Sequence, residues 1–129
     1  MAQSSLEVQN SILKQYEKLI PKDSSFASWT MYEVYLNDDK VKDYVFSYIL
    51  CKKNQRHIHS GSGVLMLETV GKNKFKIYGH IPASGKDIYT FTGYSGNTYF
   101  INEYSAASNY SKIKRQIKFE KRGEKLIAL

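Results

Sequence analysis

The sequence predicts a mainly β fold of the α+β kind: one N-terminal helix, then an antiparallel meander of seven or eight strands. Three observations predict it. Apolar residues recur at three- and four-residue steps in the first twenty positions. From Trp29 onward the chain is rich in Tyr, Phe, Val, Ile and Thr, which suit a pleated surface. Turn residues interrupt that β-rich stretch at short intervals. With 129 residues, 42% hydrophobic and 24% charged, the chain reads as one domain, residues 1–129, able to bury a single core.

The helix is expected over about residues 5–20. Ser4-Ser5-Leu6-Glu7 has the spacing of a capping box, in which the Ser4 hydroxyl and the Glu7 carboxylate each take an unpaired backbone amide. Val8, Ile12, Leu13, Tyr16, Leu19 and Ile20 then fall on one face, and Pro21 ends the helix because the residue before proline avoids helical geometry. Strands are expected near 29–36, 41–51, 63–70, 74–81, 87–93, 97–104, 111–121 and 124–129. Their separators are Asn37-Asp38-Asp39-Lys40, Gly71-Lys72-Asn73, Pro82-Ala83-Ser84-Gly85-Lys86, Gly93-Tyr94-Ser95-Gly96-Asn97 and Arg122-Gly123-Glu124. Residues 52–62 and 105–110 read as polar loops. Connections this short force antiparallel neighbours, since a parallel pair needs a long crossover. A meander of this size curls, either into a closed barrel or into a strongly curved sheet around the helix. A barrel of eight strands is filled by side chains or holds one small ligand.

This plan resembles the calycin architecture, a chain of similar length folded as an up-and-down β-barrel. The likeness is one of architecture. At the position where a lipocalin-type signature has glycine, two residues before the first-strand tryptophan, this chain has Ala27.

Charge and cysteine narrow the functional classes. Net charge is +7, and it is concentrated: residues 111–125 hold seven Lys and Arg against two acids. A basic segment of this kind attracts nucleic acid, another polyanion or an acidic partner. Cys51 is the single cysteine, so no internal disulfide forms. The first residues lack a basic-then-apolar leader, and Ala2 stands where myristoylation needs glycine, so a cytoplasmic location is expected. No apolar run is long enough to span a membrane. The helix carries too few cations to read as a membrane-surface helix.

Catalytic signatures are missing. His57 and His59 share a side of an extended segment but lack the third ligand a metal site needs. Ser62 stands in Ser60-Gly61-Ser62-Gly63 with no helix after it to form a nucleophile elbow. The glycines carry no phosphate-loop spacing. Glu33, Glu68 and Glu103 would become acid–base candidates only by pointing inward. No catalytic residue, metal or cofactor is assigned.

The most informative stretch is residues 111–121. Ile113, Ile117 and Phe119 alternate with Lys112, Lys114, Gln116, Lys118, Glu120 and Arg122. Arg115 falls on the apolar side by parity, where a cation needs an anion. That anion is either an internal acid, with Glu103 as the candidate, or the carboxylate or phosphate of a ligand. The leading expectation is a binding protein without enzymatic activity. It holds a small, largely apolar and anionic ligand in a cavity lined by Trp29, Tyr44, Tyr48 and Tyr99, with Arg115 on the anionic group. The alternatives are a nucleic-acid or polyanion binder, using the row Lys112, Lys114, Lys118 and Arg122 with Tyr78, Tyr94, Tyr104 and Tyr110 as stacking surfaces, and a homodimer formed through the helix stripe or an open sheet edge.

Overall fold

A computed structural model describes residues 5–36, 40–83 and 85–129. Helix α1 (Ser5–Tyr16) passes into a 3-10 turn, Glu17–Leu19. Eight strands follow among the described residues: β1 (Ser24–Val34), β2 (Asp43–Lys52), β3 (Gln55–Gly71), β4 (Lys74–Pro82), β5 (Ile88–Ser95), β6 (Thr98–Tyr104), β7 (Ile113–Arg122) and β8 (Lys125–Ala128). A second 3-10 turn, Ala106–Ser108, lies between β6 and β7. Every pairing is antiparallel. No helix among the described residues is long and apolar enough to cross a membrane.

The strands form two four-stranded sheets, β1-β2-β3-β4 and β5-β6-β7-β8. The sequence favours one closed, calycin-like barrel; among the described residues no ladder joins β4 to β5 or β8 to β1. Pro82, the last residue of β4, has no amide to offer a further partner. The next amide, Ala83, donates to the Ser62 carbonyl of β3 (3.0 Å), so the chain crosses over the first sheet instead of extending it.

The first sheet is covered on both faces, which explains its long apolar runs. On β2, Tyr44, Phe46, Tyr48 and Leu50 face α1, while Asp43, Val45 and Ser47 alternate onto the opposite face. Nine of the ten β2 residues are buried or half-buried. The helix layer packs Val8, Ile12 and Tyr16 against Tyr44, Phe46, Leu65, Leu67 and Phe75. Complete burial of an Ile12-sized side chain contributes about 1.5–3 kcal/mol. Leu19, expected in this stripe, is exposed because the 3-10 turn rotates it away. The proposed cap at Ser4 lies outside the described residues, as do Asn37, Asp38, Asp39 and Ser84 of the turns.

The second core fills the space between the sheets with Val45, Val64, Met66, Ile81, Tyr89, Phe91, Tyr99, Ile101 and Ile117. Two serines explain how β5 approaches so closely. Ser47 Oγ accepts from the Phe91 amide (3.2 Å), and Ser62 Oγ accepts from the Tyr89 amide (3.3 Å) while donating to the Asp87 carbonyl (2.8 Å). Buried backbone amides need such partners. At the far side, Leu126 of β8 lies so close to Gly79 that any side chain there would collide with it.

Helix α1 stops four residues short of its expected end, and the largest shifts fall at two strand starts. β1 begins at Ser24, because the small residues before Trp29 pair with the end of β2. The predicted loop 52–62 is strand: Lys53 and Asn54 make a two-residue turn, with Asn54 in the left-handed region (φ 64°), and β3 starts at Gln55. Irregular pairing at Cys51 leaves Arg56, His57 and Ile58 of β3 without partners in the ladder, the first two of them exposed.

Candidate functional site

The predicted cavity lining is divided between two layers. Trp29 stacks on Phe46 (6.2 Å between centroids) and its Nε1 donates to Gln9 of α1 (2.8 Å). Tyr44 meets the edge of Phe75, and Tyr48 meets Phe26, all on the helix side of the first sheet. Tyr99 stands on the opposite side, between the sheets, and its hydroxyl donates to that of Tyr78 (3.3 Å). The first sheet separates them, so the four aromatics do not line one cavity. Strand parity decides this: even-numbered residues of β2 face the helix. A cleft beside β1 and β5 has a volume of ≈ 70 Å³, well below that of ligand pockets.

Arg115 lies at the other end of the sandwich. Its Nε donates to Glu103 Oε1 at 2.5 Å, across the β6–β7 register. Glu103 is 1% exposed and the Arg115 side chain 60%. The cation therefore meets the internal acid named in the sequence, and its outer surface faces water. The ion pair raises the guanidinium pKa further. Asp87 extends the cluster. It accepts from the Ala106 amide (2.9 Å) and from Lys114 Nζ (3.1 Å). The Ala106 amide, then Lys114 and Glu103, lower the Asp87 pKa. Beside them the Tyr89 phenol is raised, first by burial and then by the Glu103 charge. His59 Nε2 and the Tyr110 hydroxyl both donate to the Lys86 carbonyl, tying the neighbouring loops together (2.8 and 3.0 Å). His59 is thus a loop fastener, and no three metal-ligating side chains gather among the described residues. This cluster balances its own charges.

The basic row is broken by the same register. The β6–β7 pairing shifts between Glu103 and Tyr104, so Lys114 sits in an irregularity and reaches Asp87 instead of extending the row. Arg122 pairs with Glu120 (3.2 Å). Lys118 lies over the Phe100 ring (6.0 Å), and Lys112 is exposed. Of the tyrosines expected to stack on bases, Tyr94 is stacked on Tyr99, Tyr78 packs on the inter-sheet core, and Tyr110 is bonded to Lys86. Tyr104 stays half-exposed, opposite Ile113.

A polar pair lies behind the helix layer. The Tyr48 hydroxyl and His80 Nε2 share a 2.6 Å hydrogen bond across β3. Gly63 makes room for it: a Cβ there would stand 2.7 Å from Tyr48 Cζ and closer still to its hydroxyl. Burial pushes Tyr48 up to about 12 and lowers the His80 imidazole.

A groove of ≈ 570 Å³ lies between the segment after α1 and the start of β1. Ile20, Pro21 and Phe26 supply its apolar surface, and Ser24 and Ser25 its polar surface. Lys18, Lys22 and Lys53 stand around it against a single acid, Glu17. None of the three lysines makes an ion pair among the described residues. The Lys53 amide bonds the Asp23 carbonyl (2.7 Å), which fastens the β2–β3 turn beside the groove. Phe26 closes the groove from Tyr48, 5.6 Å away. No family model, curated protein or solved structure matches this chain. The site therefore has to be read from its own chemistry. Sequence reading did not find it, because Lys53 and Phe26 join Lys18 and Lys22 only through the β1–β2 pairing; the one signal was the Ile20-Pro21-Lys22 break between helix and sheet.

Proposed function

We propose that this chain is a non-enzymatic binding protein for a small anionic amphiphile, seated in the groove between the end of α1 and β1. The supporting observation is the pairing of an apolar floor, Ile20, Pro21 and Phe26, with three lysines that form no ion pair among the described residues. The floor removes an alkyl or aryl body from water, and the ammonium groups take a carboxylate, sulfate or phosphate head by charge-assisted bonds. The volume of ≈ 570 Å³ falls in the range of small-molecule sites. Arg115 is left out of this reading, because its Nε is already paired with Glu103. The two-sheet body then acts as a scaffold and not as a container.

Calorimetric titration with decanoate, decanol and decylamine separates head from tail. Decanoate is expected to bind best and decylamine worst. The double variant Lys22→Glu with Lys53→Glu should weaken decanoate by about tenfold or more, the equivalent of one charge-assisted bond. Equal affinity for all three compounds, or no effect of the double variant, would overturn the proposal.

A further inference from the structure

We infer that a second copy of this chain docks along the outer edge of β1, continuing the first sheet across a two-fold axis. β1 has eleven residues, Ser24–Val34, and among the described residues it pairs on one side only, with β2. Arg56 donates to the Ala27 carbonyl (3.1 Å) at the bulge between Phe26 and Ser28. Beyond that bulge, among the described residues, the backbone from 28 to 34 bonds to nothing but β2. Native proteins guard such edges with lysine, proline, a bulge or a covering element. The strand holds no proline, lysine or arginine, and its one charge, Glu33, is paired with Lys42 (3.3 Å).

The other edges are guarded. Leu126 and Lys121 cover β4, where Lys121 Nζ donates to the Tyr78 carbonyl and lies over that ring. Ser47 and Ser62 hold the edge amides of β5. β8 is four residues long. The unguarded stretch of β1 is also flanked by apolar surface. Trp29 and Met31 are half-buried on the helix side. Leu6 is 68% exposed and lies three residues before Gln9, so on the face of α1 that reaches β1 at Trp29.

A second copy fits because the strand is self-complementary in the antiparallel sense. Centred on Met31, the pairing sets Thr30 opposite Tyr32, Trp29 opposite Glu33 and Ser28 opposite Val34 of the other copy. No like charges face one another, and the two Glu33 carboxylates stay about 13 Å apart along the strand, at about 3.3 Å per residue. Each copy carries +7, so salt should tighten this association by screening repulsion. An acidic peptide on the same edge would instead bind more weakly in salt.

Sedimentation velocity from micromolar to millimolar chain, at low and moderate salt, tests the inference. Wild type is expected to dimerise, more tightly in salt. Thr30→Lys, which puts a cation on an exposed edge position, should abolish the dimer, and Gln116→Lys on the second sheet should leave it intact. Amide exchange on the wild type supplies a reading free of folding defects: residues 28–33 should gain protection as concentration rises. A wild-type monomer at millimolar concentration, a Thr30→Lys dimer of unchanged affinity, or protection independent of concentration would each overturn it.

Discussion

Replacing Gly63 by alanine tests how the Tyr48–His80 pair is built. The new methyl would stand 2.7 Å from Tyr48 Cζ and 3.0 Å from the Ile81 carbonyl oxygen, with the Tyr48 hydroxyl nearer still. Gly63 has an ordinary strand backbone, so the cost is steric and not conformational. Tyr48 is 5% exposed and held by Phe26, so its ring has little room to move. Overpacking of this kind costs about 1–3 kcal/mol, and pulling Tyr48 off His80 adds about 1 kcal/mol for the lost hydrogen bond. The sum, about 2–4 kcal/mol, corresponds to a Tm lower by roughly 10 °C in a domain of this size. Urea unfolding followed by the fluorescence of Trp29, the single tryptophan, measures it. The cycle with Tyr48→Val assigns the cause. In that background the Gly63→Ala cost should shrink by more than about 1 kcal/mol, a coupling expected only of residues in contact. A cost below about 0.5 kcal/mol, or equal costs in both backgrounds, would refute the steric account.

Three further outcomes follow from geometry already described. Burial lowers the His80 pKa, so the unfolded chain binds the extra proton first; stability should fall as pH drops below about 6.5, the unfolded value, and His80→Phe should flatten that slope in pH-dependent urea titrations. Arg115→Met leaves the Glu103 carboxylate buried beside Asp87 without its guanidinium; thermal melts should show destabilisation, with the double variant Arg115→Met, Glu103→Leu regaining most of it. Ser62→Ala orphans the buried Tyr89 amide and should cost about 1–3 kcal/mol in chemical denaturation, with faster exchange of that amide as the accompanying sign.

Features carried by local periodicity were legible in the sequence. The apolar stripe Val8, Ile12, Tyr16 places α1, and alternation with short turns places all eight strands. Arg115 was legible only in part: a lone cation of the wrong parity demanded an anion, which the sequence left open between Glu103 and a ligand and which the leading expectation gave to a ligand, and Glu103 lies directly across the ladder. The polar stretch Gln55–His59 hid the start of β3, because a strand that runs out into solvent carries no apolar alternation. A register shift at Glu103 and Tyr104 removed Lys114 from its row, and such shifts leave no periodic trace. Whether eight strands close on themselves or split into two sheets depends on how β5 crosses β3, which serine hydroxyls govern at a distance in sequence. For the same reason parity could tell which tyrosines share a side but not which layer lies beyond that side.

The double cover of β2 and β3 has a consequence for how the molecule comes apart. One face of these strands anchors the helix layer and the other anchors the second sheet, so neither layer can melt without exposing a strand that the other also needs. The two apolar clusters are thereby joined into one cooperative unit, and a single equilibrium transition is expected despite three stacked layers. Amides at the centre of β2 and β3 would open only with the whole molecule and would report its global stability, whereas those of β8 would open in small local excursions.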